Sequence, residues 1–125
     1  MKEQANRISN HIIGAAIEVH KHLGPGLMES IYEQALTYEL RERGLFIENQ
    51  VPIPVTYKGK FLGTNYKLDL LVNNLIIVEL KAVDQLLPIH KAQTLTYLKL
   101  KQLWLGLLIN FNEPVLKQGV VRIVN

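Results

Sequence analysis

The chain has 125 residues, 48% apolar and 20% charged, a composition that suits a folded globular protein and excludes a disordered or low-complexity chain. It contains no cysteine, which excludes disulfides, thiolate metal sites and a cysteine nucleophile. The net charge of +3 permits a polyanionic partner without demanding one, and no stretch reaches the roughly 18 apolar residues of a membrane span. MKEQANRISN has no apolar segment of signal-peptide type, so a cytoplasmic setting is expected. The length suits a single domain over residues 1–125 around one core.

Ser9 is expected to cap a first helix running to about Leu23. Ile8, Ile12, Ala15, Val19 and Leu23 form one apolar stripe, and Ile13, Ala16 and Ile17 form another that ends in His20. A helix apolar on two sides is buried, so His20 is expected toward the core, making a structural hydrogen bond in preference to holding a metal. The Gly24-Pro25-Gly26 turn ends the first helix and opens a second, from about Leu27 to Arg43. In the second helix Glu29 and Glu33 share a stripe that becomes apolar at Leu36 and Leu40. Acids in a first turn favour the helix dipole, which accounts for Glu29 better than for Glu33.

Leu45 to Tyr57 reads as an edge strand, because Pro52 and Pro54 lack the N–H that a central strand donates. Lys58-Gly59-Lys60 is a turn. Tyr66 to Lys81 then forms a hairpin of two apolar strands about Asn73-Asn74, carrying Asp69 on the first strand and Glu79-Leu80-Lys81 at the end of the second. Pro88 starts a third helix to about Lys101, with Gln93 and Tyr97 four apart on one side. A strand over Leu103–Asn110 and a short last strand over Gly119–Val124 complete the order. The helix between Lys81 and Leu103 suits a right-handed crossover, which makes the strands it joins parallel neighbours. The result is an α/β (mixed α+β) layer fold.

Charges at the end of buried strands are costly unless they are used. Glu79 and Lys81 lie on one strand face by period 2. If Asp69 joins them, two carboxylates can hold a divalent cation while the lysine orients a water. Register decides this. A two-residue loop of Asn73 and Asn74 would set Asp69 opposite Val78 and turn Glu79 away. A three-residue loop or a bulge would set Asp69 opposite Glu79, and asparagine tolerates the positive φ this requires. The odd register is therefore expected. The helical acid, Glu29 first and Glu33 second, is expected within about 6 Å of Asp69 or Glu79. The clustered carboxyls should raise one another's pKa.

The acid on a helix, Asp69, Glu79-Leu80-Lys81 and Gln93-x-x-x-Tyr97 in this order resemble the PD-(D/E)XK nuclease superfamily. Gly26-Leu27-Met28-Glu29-Ser30-Ile31-Tyr32 is similar to the motif of the GxxExxY proteins assigned to it, over roughly Ile12 to Arg122. Leu68 stands where the superfamily pattern has proline. The resemblance implies a restriction-endonuclease-like core, a central mixed sheet of about five strands flanked by three helices. It implies a metal-dependent nuclease acting on DNA, with Asp69, Glu79 and Glu29 or Glu33 binding Mg2+ (Mn2+ as substitute). Lys81 would position the attacking water. Gln93 and Tyr97 would touch the substrate backbone or support Lys81. Two rivals remain: a catalytically silent module binding nucleic acid or a protein, and a structural partner whose buried charges only specify the fold. A homodimer would enlarge an otherwise small platform for duplex DNA.

Overall fold

The computed structural model describes residues 1–125. Helix α1 spans Lys2–Leu23 and α2 spans Glu29–Glu42. Strands β1 (Ile47–Tyr57), β2 (Lys60–Val72) and β3 (Ile76–Lys81) follow, then α3 (Pro88–Lys101), β4 (Leu105–Asn110), a 3-10 turn at Leu116–Gly119 and β5 (Val120–Val124). The five strands make one mixed sheet in the order β1-β2-β3-β4-β5. Neighbours are antiparallel except β3 and β4, which pair in parallel with Glu79 opposite Leu108 and Lys81 opposite Asn110. The three helices, the mixed five-stranded sheet and the crossover through α3 are those the sequence predicts.

The start of α1 is a correction. The helix begins at Lys2, and Ser9 lies inside it, fully buried. Its hydroxyl donates to the Asn6 carbonyl (2.8 Å) and accepts from Arg122 Nη1 (3.2 Å). The buried stripe of α1 extends back through Ile8 to Ala5, so Ser9 is covered by β5 and does not cap.

Two cores lie on opposite faces of the sheet. The larger joins α1 and α2 to Ile47, Leu70, Val72, Ile76, Val78 and Leu80; the smaller joins Tyr97 and Leu98 of α3 to Ile53, Leu68, Leu71 and Ile77. Tyr32 ties the larger core to the loop before α2. Its ring stacks on Phe111 at 4.5 Å, and its hydroxyl donates to the Gly24 carbonyl (2.5 Å) and accepts from Leu27 N–H (3.1 Å). The Gly26 end of that loop has φ 97, a conformation that favours glycine. The glycine and the tyrosine of the motif are thus structural, and they fix where Glu29 starts the helix.

Candidate active site

The hairpin loop contains three residues, Asn73, Asn74 and Leu75. Asn73 (φ 51) and Asn74 (φ 52) are left-handed, and Leu75 N–H donates to the Val72 carbonyl (2.9 Å). Pairing is Val72 with Ile76, Leu71 with Ile77 and Leu70 with Val78, the odd register. The next positions on this register are Asp69 and Glu79, and there the backbone ladder stops. The side chains take it over. Asp69 N–H donates to Glu79 Oε2 (2.6 Å), and Leu80 N–H donates to Asp69 Oδ2 (2.8 Å). Each carboxylate thus binds backbone of the opposing strand, and the strands part at the point where the acids meet.

Gln50 is the residue that sequence reasoning missed. It lies in β1 between the Asn49–Leu70 and Val51–Leu68 pairs, opposite Asp69, with φ 50. An unbroken strand keeps alternate residues on one face. Here Ile47 belongs to the larger core, whereas Val51 and Ile53 belong with the smaller. Across from them Leu70 and Leu68 divide in the same way. The left-handed residue turns the strand over, so β1 and β2 change faces together at the level of the acids. The Gln50 amide donates to Glu33 Oε1 (2.7 Å) and Asp69 Oδ1 (3.3 Å). No local signal marks this role, because glutamine is ordinary in a strand.

The acids of α2 both reach this end of the sheet. Glu33 is linked to Asp69 through the Gln50 amide, which sets their oxygens no farther apart than the two bond lengths together. It also accepts from Asn49 Nδ2 (3.1 Å). Glu29, the expected first choice, instead accepts from Ala82 N–H (3.2 Å), just past Lys81. Its side of the cleft is fixed by the Gly24–Leu27 loop that Tyr32 holds.

Burial and charge act together on the two central acids. The Asp69 carboxyl lies above its ordinary pKa, first through burial; the Leu80 and Gln50 bonds and Lys81 oppose this, and Glu29 adds to it. Glu79, only 5% exposed, is pushed up to about 8, again first by burial and then by Asp69. Mutual repulsion was the expected cause, but desolvation is the larger one. Lys81 draws both values down, yet the only ion pair within 4.0 Å in the chain is His22–Glu18. Its ammonium therefore acts on the acids from beyond contact distance.

Tyr97 is buried on α3, and its phenol is pushed up by burial and then by Glu79. Gln93, one turn earlier, is half-buried and lines a groove beside Tyr97. His20 makes a structural hydrogen bond, with the Glu113 carbonyl (2.7 Å) in the loop after β4. The end of β4 also shapes the site. Buried Asn110 donates to the Val83 carbonyl (2.8 Å) and accepts from Val83 N–H (3.1 Å), clamping the segment that leaves Lys81.

The donor set is all oxygen, which suits a hard divalent cation. Two of its carboxyls sit where ionisation is penalised, and a cation would relieve that penalty. In this arrangement no three acids come to ligating distance. The reason is visible in the bonds above: backbone N–H groups and the Gln50 amide occupy the oxygens. A cation held by Asp69 and Glu79 with Glu33 or Glu29 would have to displace these donors from the carboxyl oxygens.

No curated protein and no solved structure matches the chain. The family model of the PD-(D/E)XK nuclease superfamily matches residues 6–123, nearly the whole sequence, and spans α1, the split hairpin, α3 and β5. A match over nearly the whole sequence shows the family, and the chain belongs to the PD-(D/E)XK nuclease superfamily.

Proposed function

We propose that this protein is a metal-dependent nuclease that hydrolyses DNA phosphodiester bonds. One observation supports it most: buried Glu79 and half-buried Asp69 face one another at the split neck of the hairpin, with Lys81 one strand period beyond Glu79. A fold that kept these groups for stability alone would bear their desolvation with no return. Asp69 and Glu79, joined by Glu33 or Glu29, hold the cation, with Mg2+ favoured and Mn2+ able to replace it. When bound, the cation supplies charge neutralisation at the phosphate and acidifies a water. Lys81 orients that water for addition to phosphorus as the P–O bond breaks. Gln93 and Tyr97, which line one groove, would position the substrate strand. The Gly26, Glu29 and Tyr32 spacing supports a kinship with the GxxExxY proteins, and the absence of cysteine suits the cytoplasm.

A second reading has its own support. The carboxylates are satisfied by backbone donors, as they would be in a silent module that binds without cutting. One experiment separates the two. Single-stranded, duplex and branched DNA are incubated with the protein and Mg2+ or Mn2+, alongside Lys81→Ala and Glu79→Gln. Cleavage by the wild type, lost in EDTA and reduced at least about a hundredfold by Lys81→Ala, is expected. No cleavage, together with no calorimetric Mn2+ binding, would leave the silent module.

A further inference from the structure

Beyond the level of Gln50 and Asp69, β1 and β2 pair only with each other. They form an arm over Val51–Tyr57 and Lys60–Leu68, closed by Lys58 (φ 50) and Gly59 (φ 80). The arm presents an unusual surface. Tyr57, Phe61 and Tyr66 are each more than half exposed, and Leu62 beside them is as well. Exposed aromatics in such number on one small element call for a partner. Between the arm and α3 runs an open groove of about 380 Å³, lined by Val55, Tyr66, Ile89, Gln93, Tyr97 and Leu100. The Tyr66 and Tyr97 rings lie 6.4 Å apart in it, tilted by 54°. The Tyr97 phenol in this groove is pushed up by burial and then by Glu79.

Charge is segregated in the same way. The arm carries Lys58, Lys60 and Lys67, α3 carries Lys91, Lys99 and Lys101, and neither has an acidic residue. The other parts of the chain hold 8 of the 14 basic residues and all 11 acids. The whole positive excess of the protein therefore lies on the two elements that border the groove. Lys58 Nζ sits 5.4 Å from the centre of the Tyr57 ring, a lysine and an aromatic presented together.

We propose that the arm and α3 form a subsite for an unpaired nucleic-acid strand, whose bases stack on the exposed aromatics while its phosphates meet the lysines. The inference rests on the nuclease reading and specifies how that site receives its substrate. Stacking requires free base faces, which a duplex keeps for itself, so a single strand, a flap or an end is the preferred substrate. A second copy of the chain fits less well. It would bring six lysines against six, and exposed Pro52 and Pro54 deny β1 the N–H groups that edge-to-edge pairing uses.

The test is binding without cleavage. Anisotropy of fluorescent dT12, rU12 and a blunt duplex is measured in EDTA, where no metal is present. The wild type should bind the single strands more tightly than the duplex. Phe61→Ala and Tyr57→Ala, both at exposed positions, should each weaken single-strand binding by about tenfold with the melting curve unchanged. Tyr66→Leu keeps the groove covered and should do the same. Replacing Lys58, Lys60 and Lys67 by Gln should reduce the slope of log Kd against log salt. Aromatic variants that bind as the wild type does, or a duplex bound as tightly as dT12, would overturn the proposal. So would a dimer, seen by sedimentation, that Phe61→Ala dissociates while oligonucleotide affinity stays the same. Cleavage and binding fail separately: arm variants with unaltered affinity and intact cleavage sink this inference alone, whereas strong single-strand binding without metal-dependent cleavage sinks the nuclease reading alone.

Discussion

Replacing Glu79 by glutamine removes one titrating carboxyl at the hairpin neck with almost no change in shape. The consequence follows from burial. The folded-state pKa of about 8 stands against a model value of 4.5. A carboxyl whose pKa is raised on folding binds its proton more tightly in the native state. Its contribution is therefore fully present below about pH 4.5 and is lost as pH rises through 8. At about 1.4 kcal/mol per pH unit, the ceiling on that loss is roughly 4–5 kcal/mol across the window. Wild-type stability in EDTA should therefore fall between pH 5 and 9 by up to that amount, about 10–20 °C in Tm for a domain of this size. Glu79→Gln lacks the titrating group, so its curve should be flatter across the same range. All other ionisable groups are shared, and the difference between the two curves reports Glu79. The variant can be the less stable of the two at pH 5, because its amide needs a new acceptor; the slope is the observable. Denaturation by urea followed by circular dichroism at five pH values measures it. Adding Mg2+ at 100 times its Kd should restore about 2.7 kcal/mol to the wild type at pH 8 and less to the variant. Parallel pH curves for the two proteins would refute the buried, proton-binding carboxyl.

Gln50→Gly should exceed Gln50→Val in stability by about 1–2 kcal/mol, since both lose the amide and only valine suffers the left-handed φ; valine ahead of glycine in urea denaturation would indicate an ordinary strand. Asn110→Ala leaves the half-buried Val83 carbonyl and N–H without their partner and should cost about 1–3 kcal/mol by the same measurement. Gly119→Ala places a Cβ 2.5 Å from the Asn110 carbonyl and 2.8 Å from Glu113 Cγ, so the backbone must shift and a loss of about 1–3 kcal/mol is expected. Tyr32→Phe keeps the stack on Phe111 but frees the Gly24–Leu27 loop; Mn2+ affinity measured by calorimetry should fall if Glu29 is a ligand and stay the same if Glu33 alone serves.

The elements themselves were legible because their causes are local. Period 3.6 in α2, Pro88 at the head of α3 and the two prolines of β1 act through a few neighbouring residues. The hairpin register followed from counting: an odd loop or a bulge lets Asp69 meet Glu79, and Asn73-Asn74 supply the left-handed residues for the odd loop. The acids could be named because buried charge is rare enough to be conspicuous in a run of Leu, Ile and Val. Other features were decided only in three dimensions. Ser9 has the chemistry of a cap, and it is buried because β5, more than a hundred residues away, lays Arg122 over it. Gln50 turns two strands over and joins Glu33 to Asp69, although nothing within its own segment distinguishes it. The choice between Glu29 and Glu33 depends on where the Tyr32-held loop sets the first turn of α2 against β3. Desolvation, which dominates the Glu79 shift, is a sum over atoms from several elements. A single strand's sequence carries its alternation and its charge; the water it loses is set by what folds over it.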